Sequence, residues 1–188
     1  MEDNGSPYEI LEKAYETLDP DLLLQAIEAG ADINLDTDRL CWGIFTMLEP
    51  FVVEPEDDYT EETQRQWFLN RQRIITMLDV AIDHGLTMNE CYDDEGGVHY
   101  PISSFLLYAP DDMEFVDWLI DKGFDPVNRY SDCSQFDELV DILEDDIDDQ
   151  NDHCRWLLKL CLHLMDRFPE LESQYDRRKL LAMKEKLK

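Results

Sequence analysis

The chain reads as an all-α protein, a stack of about four helix pairs closed by one further helix. Three observations point there. Apolar residues recur at three- and four-residue spacings almost throughout, and sustained strand alternation is absent. One arrangement of apolar pairs ahead of a glycine occurs three times. Wide apolar faces open at Trp67-Phe68-Leu69, Trp118-Leu119-Ile120 and Trp156-Leu157-Leu158. A single helix pair cannot bury such faces alone, so neighbouring pairs must cover them.

Taken in order, Ser6-Pro7 supplies an N-cap and a first-turn proline for a helix to about Leu18. Asp19-Pro20 repeats that signal for a helix to Ala29, with Gly30 as its left-handed cap. The next helix is predicted over 38–48, stopping before Pro50. Two prolines and a run of carboxylates make residues 50–60 a loop. A long helix follows from Glu61 to His84, closed by Gly85. Tyr100-Pro101 opens a helix to Tyr108, and Asp111 or Asp112 caps another that ends before Gly123. Helices over 134–148 and 153–167 make the fourth pair. Pro169 separates them from a capping helix at 172–188.

The repeat is legible residue by residue. Leu23 to Asn34 aligns with Leu78 to Asn89, and Phe115 to Asp125 carries the same frame. In each copy, apolar pairs stand eight and seven, then four and three, residues before the glycine. That spacing puts both pairs on one helix face. The glycines lie 55 and 38 residues apart, so the second unit carries an insertion, placed near 50–65. The units are then about 6–37, 38–92, 93–132 and 133–168, all in one domain over 1–188.

Gly30-Ala31-Asp32-Ile33-Asn34 resembles the Gly-Ala-Asp-x-Asn ending of ankyrin repeats. Gly85-Leu86-Thr87-Met88-Asn89 and Gly123-Phe124-Asp125-Pro126-Val127 are looser versions of it. Ser6-Pro7-Tyr8, Tyr100-Pro101-Ile102-Ser103 and Ser134-Gln135-Phe136 are similar to the family's Thr-Pro-Leu-His start, although none keeps the His. The helices are longer than the family's, and the fourth unit lacks its terminal glycine. The resemblance implies an ankyrin-like solenoid whose hairpin fingers and first helices line a binding face. The fingers would be Asp36 to Arg39, Tyr92 to Tyr100, and Arg129 to Asp132.

Charge narrows the partner. Asp and Glu number 45 against 16 Lys and Arg, a formal net charge of −29. Residues 1–150 hold 39 acidic and 7 basic side chains, a net of −32, while 151–188 hold 6 and 9, a net of +3. A surface of that sign excludes direct binding to nucleic acid or an anionic membrane. A hydrophobic content of 44%, 11% aromatics and four Trp separate the chain from disordered acidic tails. No apolar run approaches the 18 or so residues of a membrane span. The acidic N-terminus is unlike a secretory signal. Five Cys without a Cys-x-x-Cys pair fit a reducing compartment, so the expected location is cytoplasmic.

Chemistry is harder to find. Asp145, Asp146, Asp148, Asp149 and Asp152 suggest a calcium loop. Counted from Asp146, however, the required Gly and Glu positions hold Asn151 and Leu157. Cys154, Cys161 and His163 share part of a helical face beside His153, but no second pair completes a zinc set. His84 fits a helix end, where the dipole favours a cation. Gly96-Gly97 follows three carboxylates that repel phosphate. The expectation is no metal, no cofactor and no enzymatic activity. It leaves an acidic adaptor or inhibitor that engages a basic protein surface through Tyr92, Asp93, Asp94, Glu95, His99 and Tyr100. Glu56, Asp57, Asp58 and Tyr59 of the insertion form a second candidate contact. Tyr offers contact area with modest entropy loss, and carboxylates take Arg or Lys by charge-assisted hydrogen bonds. Two alternatives stand beside this reading: a DNA-mimic or toxin-immunity type of inhibitor, and an enzyme whose groups converge from distant segments.

Overall fold

A helix starts where something can satisfy its free N–H groups, and this chain marks those places plainly. The computed structural model describes residues 6–34, 43–48, 51, 61–94, 97–108, 111–130, 132–175 and 177–187. Helix α1 (Pro7–Thr17) opens on a reciprocal box in which Ser6 Oγ accepts from Glu9 N and Glu9 Oε2 accepts from Ser6 N. Helix α2 (Pro20–Glu28) is capped by Asp19 Oδ1, which accepts from the N–H groups of Asp21 and Leu22. Both predicted helices are therefore present with the predicted caps.

Helix α3 (Ile44–Leu48) is short; the start predicted for it at 38 lies outside the described residues. The long helix is α4 (Glu61–Asp83), at 1.5 Å per residue about 34 Å. Next come α5 (Pro101–Tyr108) and α6 (Met113–Asp121), the latter capped by Asp112 Oδ1 on Phe115 N at 3.0 Å. The last pair is α7 (Gln135–Asp146), opened by a second reciprocal box between Ser134 and Asp137, and α8 (Asp152–Arg167). A 3-10 turn at Ile147–Asp149 joins them. The terminal helix α9 (Arg177–Lys186) begins later than predicted, because Pro169–Ser173 form a 3-10 turn first.

Among the described residues, strand appears only where fingers were expected. Strands β1 (Tyr92–Asp94) and β2 (Gly97–His99) pair antiparallel, with Tyr92 opposite His99 and Asp94 opposite Gly97. Strands β3 (Arg129–Tyr130) and β4 (Cys133–Ser134) make a shorter hairpin. The finger predicted at Asp36 to Arg39 lies outside the described residues.

Helices pack in two rows. Helix α1 touches α3, α3 touches α5, and α5 touches α7; α2 packs on α4, while α1–α2 and α7–α8 are close pairs. The second row continues through side chains: Trp67 of α4 meets Phe115 of α6 edge-on at 5.2 Å, and His163 of α8 meets Asp117 of α6. Between rows runs one continuous core that includes Leu23, Trp67, Phe105, Phe115, Phe136 and Leu157. Of the predicted tryptophan anchors, Trp67 and Trp156 are buried, and Trp118 packs against the core from its edge.

The glycine turns are tied to one another. Gly30, Gly85 and Gly123 all have positive φ, from +95° to +111°, a region open chiefly to glycine. Four residues after Gly30, Asn34 donates to Gly85 O and accepts from Thr87 N. Four after Gly85, Asn89 donates to Gly123 O and accepts from Asp125 N. The same side chain thus bolts each turn to the next, at 2.8–3.1 Å.

Helix α9 buries Leu180 and Met183, and Leu187 just past its end is buried as well. Leu181, next to Leu180 in the sequence, is instead 44% exposed. Adjacent residues lie about 100° apart on a helix of 3.6 residues per turn, which carries Leu181 off the docked face. The cations of α9 do reach the acidic body, with Lys179 on Glu144 and Lys186 on Asp148. Among the described residues no helix is long and apolar enough to cross a membrane.

A finger hairpin and the acidic helix beneath it

The candidate site is built from the β1–β2 hairpin and the start of α7. Tyr92, Asp93 and Asp94 make up the first strand, and Asp93 pairs with Val98 across the hairpin. Glu95, at the tip, lies outside the described residues. So do Glu56, Asp57, Asp58 and Tyr59 of the second candidate, and the structure describes neither.

Tyr100 has a different place from the one expected of it. Its ring is fully buried, so it presents no surface to a partner. Its hydroxyl donates to Cys133 O at 2.9 Å and accepts from Tyr130 N at 2.8 Å. Burial raises its pKa, and the phenol stays protonated as that geometry needs. Its hydroxyl finds a donor and an acceptor in the next finger, so the ring is buried there with its polar atom satisfied. Tyr100 therefore holds the second and third fingers together.

His99 remains partly exposed, with Nδ1 at 3.7 Å from Glu138 Oε1 on α7. The Glu138 side chain is only 12% exposed, and its second oxygen is buried without a hydrogen-bond partner. Burial raises its pKa from the ordinary value to about 7, against the opposing pull of the Tyr100 backbone, His99 and Ser103. One turn on, Asp141 is also shifted upward, by partial burial and by the charges of Asp137, Glu144 and Asp145. Positions 138, 141 and 145 follow one another along a single face of α7. The hairpin's last residue thus touches the head of a carboxylate row.

A polar network under the hairpin fixes this arrangement. Gln135, fully buried, donates to Asn89 Oδ1 at 2.8 Å and accepts from Ser103 Oγ. Asp137 closes the α7 cap and pairs with Arg129 of the third finger at 2.9 Å. From the sequence, Ser103 and Gln135 stood out only as parts of helix starts, and Glu138 did not stand out at all. The Asn four residues after both Gly30 and Gly85 was a visible signal for the ladder. No local pattern marks a carboxylate that becomes buried through contacts made by a distant hairpin.

Of the Cys and His residues weighed as metal ligands, Cys154 and His163 have other partners and Cys161 and His153 are buried, His153 with Nδ1 unpaired. Cys154 donates to Asp146 O at 3.0 Å, His163 is 2.9 Å from Asp117, and burial pushes the Cys161 thiol up to about 12. His153 is buried, which lowers its pKa. Among the described residues no three metal-ligating side chains gather.

Comparison with protein-family models, curated proteins and solved structures found no match.

Proposed function

We propose that this chain is a non-enzymatic interaction module, an ankyrin-type stack of helix pairs that engages a basic protein surface through its second finger and the adjoining face of α7. One observation carries the reading. The hairpin that bears Asp93 and Asp94 ends at His99 beside Glu138, so the acidic finger runs directly into the acidic row of α7. Carboxylates in the sequence of the hairpin and along the helix next to it suit an Arg- or Lys-rich face, because the individual contacts are charge-assisted. The repeated asparagine ladder supports the stack, since it gives successive units one shared geometry. The module then acts as an adaptor or an inhibitor of whatever it covers.

The test is capture from the native host's extract with three forms of the protein. Reversing Asp93, Asp94 and Glu95 to Lys is expected to weaken partner retention at least tenfold. Reversing Asp146, Asp148 and Asp149 should cost much less, since all three lie off the row of Glu138, Asp141 and Asp145. Equal losses from the two sets would reject the finger as the contact and leave bulk charge, the behaviour of a nucleic-acid mimic. A partner held without any salt dependence would reject a basic partner altogether.

A further inference from the structure

The C-terminal quarter carries a feature of opposite character. Helices α8 and α9, with Met113 at the head of α6, enclose an open groove of about 650 Å³. Its floor is apolar, from Leu158, Leu162, Leu181 and Leu187; its rim is cationic, from Arg155, Lys159, Arg177 and Lys184. Asp166 is the one carboxylate among the residues that line it. In a chain of net charge −29, that balance is inverted. Leu181 is also the large apolar side chain that α9 leaves 44% exposed, and it faces this groove.

The shape suggests what enters. On α8 the lining residues run from Arg155 to Asp166 in alternating steps of three and one, a stripe of about 17 Å at 1.5 Å per residue. That stripe matches about three turns of a third helix laid between the two. The groove is open along its length, which suits a ridge of side chains better than an acyl chain needing enclosure. A second copy of this chain is disfavoured by the mutual repulsion of two strongly acidic bodies.

We propose that this groove docks an acidic amphipathic helix of a partner protein, its apolar ridge between α8 and α9 and its carboxylates on the rim cations. Existing pairings do not block this. Arg177 is engaged by both Asp166 and Glu172, so the carboxylates fall to the other rim cations; of these, Arg155 is held by Asp152, and Lys159 by Asp111, with both partners of each pair about half exposed. Exposed pairs of that kind are worth about 0–1 kcal/mol and exchange readily for a new carboxylate. Lys184 has no ion-pair partner among the described residues. The repelling carboxylates of the body act mainly across water, where screening limits them to about 8 Å at physiological salt.

The probe is a fluorescein-labelled peptide of about 14 residues, four helical turns, with Leu at spacings of three and four and Glu elsewhere. Anisotropy at physiological salt is expected to show saturable binding. The double variant Leu181→Ser, Lys184→Glu should weaken it at least tenfold while leaving the thermal midpoint unchanged, since both side chains are exposed. A Lys-for-Glu version of the peptide binds the acidic body and is expected to ignore the double variant. Reversal of Asp93 and Asp94 should leave the acidic peptide's binding intact, which separates this site from the finger. Failure of the acidic peptide to bind, or equal binding by the double variant, overturns the proposal. Binding of dodecanoate that the double variant abolishes, without peptide binding, overturns it in favour of an acyl anion.

Discussion

At Glu138 two demands oppose one another: the hairpin base needs a polar group beneath it, and burial disfavours the charged form. With a folded pKa near 7 against an ordinary 4.5, the folded state binds the extra proton between those values. Its stabilising share is therefore complete below about pH 4.5 and is lost as pH rises through 7. Glu138→Gln keeps the shape without the charge, so the variant should match the wild type near pH 5 and exceed it by about 1–3 kcal/mol near pH 8. Urea unfolding at the two pH values measures this, and a variant less stable at pH 8 would mean that the ionised group is well paired. Buried His153 tilts both proteins equally the other way, since its lowered pKa removes stability as pH falls below 6.5, and it cancels in the difference. Asp112 shows the same kind of hidden role at a cap that was legible. Its Oδ1 closes α6 as expected, while Oδ2 also accepts from Trp67 Nε1 at 2.9 Å and Arg71 Nε at 2.5 Å. The cap could be read from one segment; the other two bonds depend on residues about forty positions away.

Between elements, the asparagine ladder does the joining, and its rungs are unequal. Asn34 makes two bonds to the Gly85 turn. Asn89 makes two to the Gly123 turn and also accepts from the buried Gln135 amide. Asn89→Ala should therefore cost about 2–3 kcal/mol and Asn34→Ala about 1–2, because removing one partner strands the others. Equal small shifts in the urea midpoint would show that packing alone registers the turns. The element boundaries were largely readable, since they rest on local chemistry: Ser6 with Glu9, Asp19 with Pro20, and glycine at the three repeated left-handed turns. The late start of α9 was not, because Pro169 looked like a simple break while Leu171 packs into the core and prolongs a 3-10 turn. The candidate site divides the same way. Its hairpin was foreseen from the Gly-rich turn, but Tyr100 was misplaced: an aromatic flanking a finger looks the same in sequence whether it points out or anchors the next finger.

Over the whole molecule the decisive quantity is how charge is distributed between the body and its terminal helix. The body repels itself, and α9 returns cations to it through Lys179 on Glu144 and Lys186 on Asp148. Two effects of salt then compete. Screening weakens those exposed pairs, each worth about 0–1 kcal/mol, and it also relieves the repulsion among 39 carboxylates in residues 1–150. The second effect involves far more charges, so raising salt is expected to raise the thermal midpoint of the full chain. Removing residues 177–188 takes away six cations and one carboxylate, and it uncovers the apolar surface that Leu180, Met183 and Leu187 protect. The truncated chain should therefore melt lower, bind a hydrophobic dye, and gain more from salt than the full chain does. Scanning calorimetry of both forms across a salt series reads all of this. A midpoint that falls with salt in the full chain and stays flat in the truncated one would reverse the conclusion: the pairs of α9, rather than relief of self-repulsion, would then govern the stability of the stack.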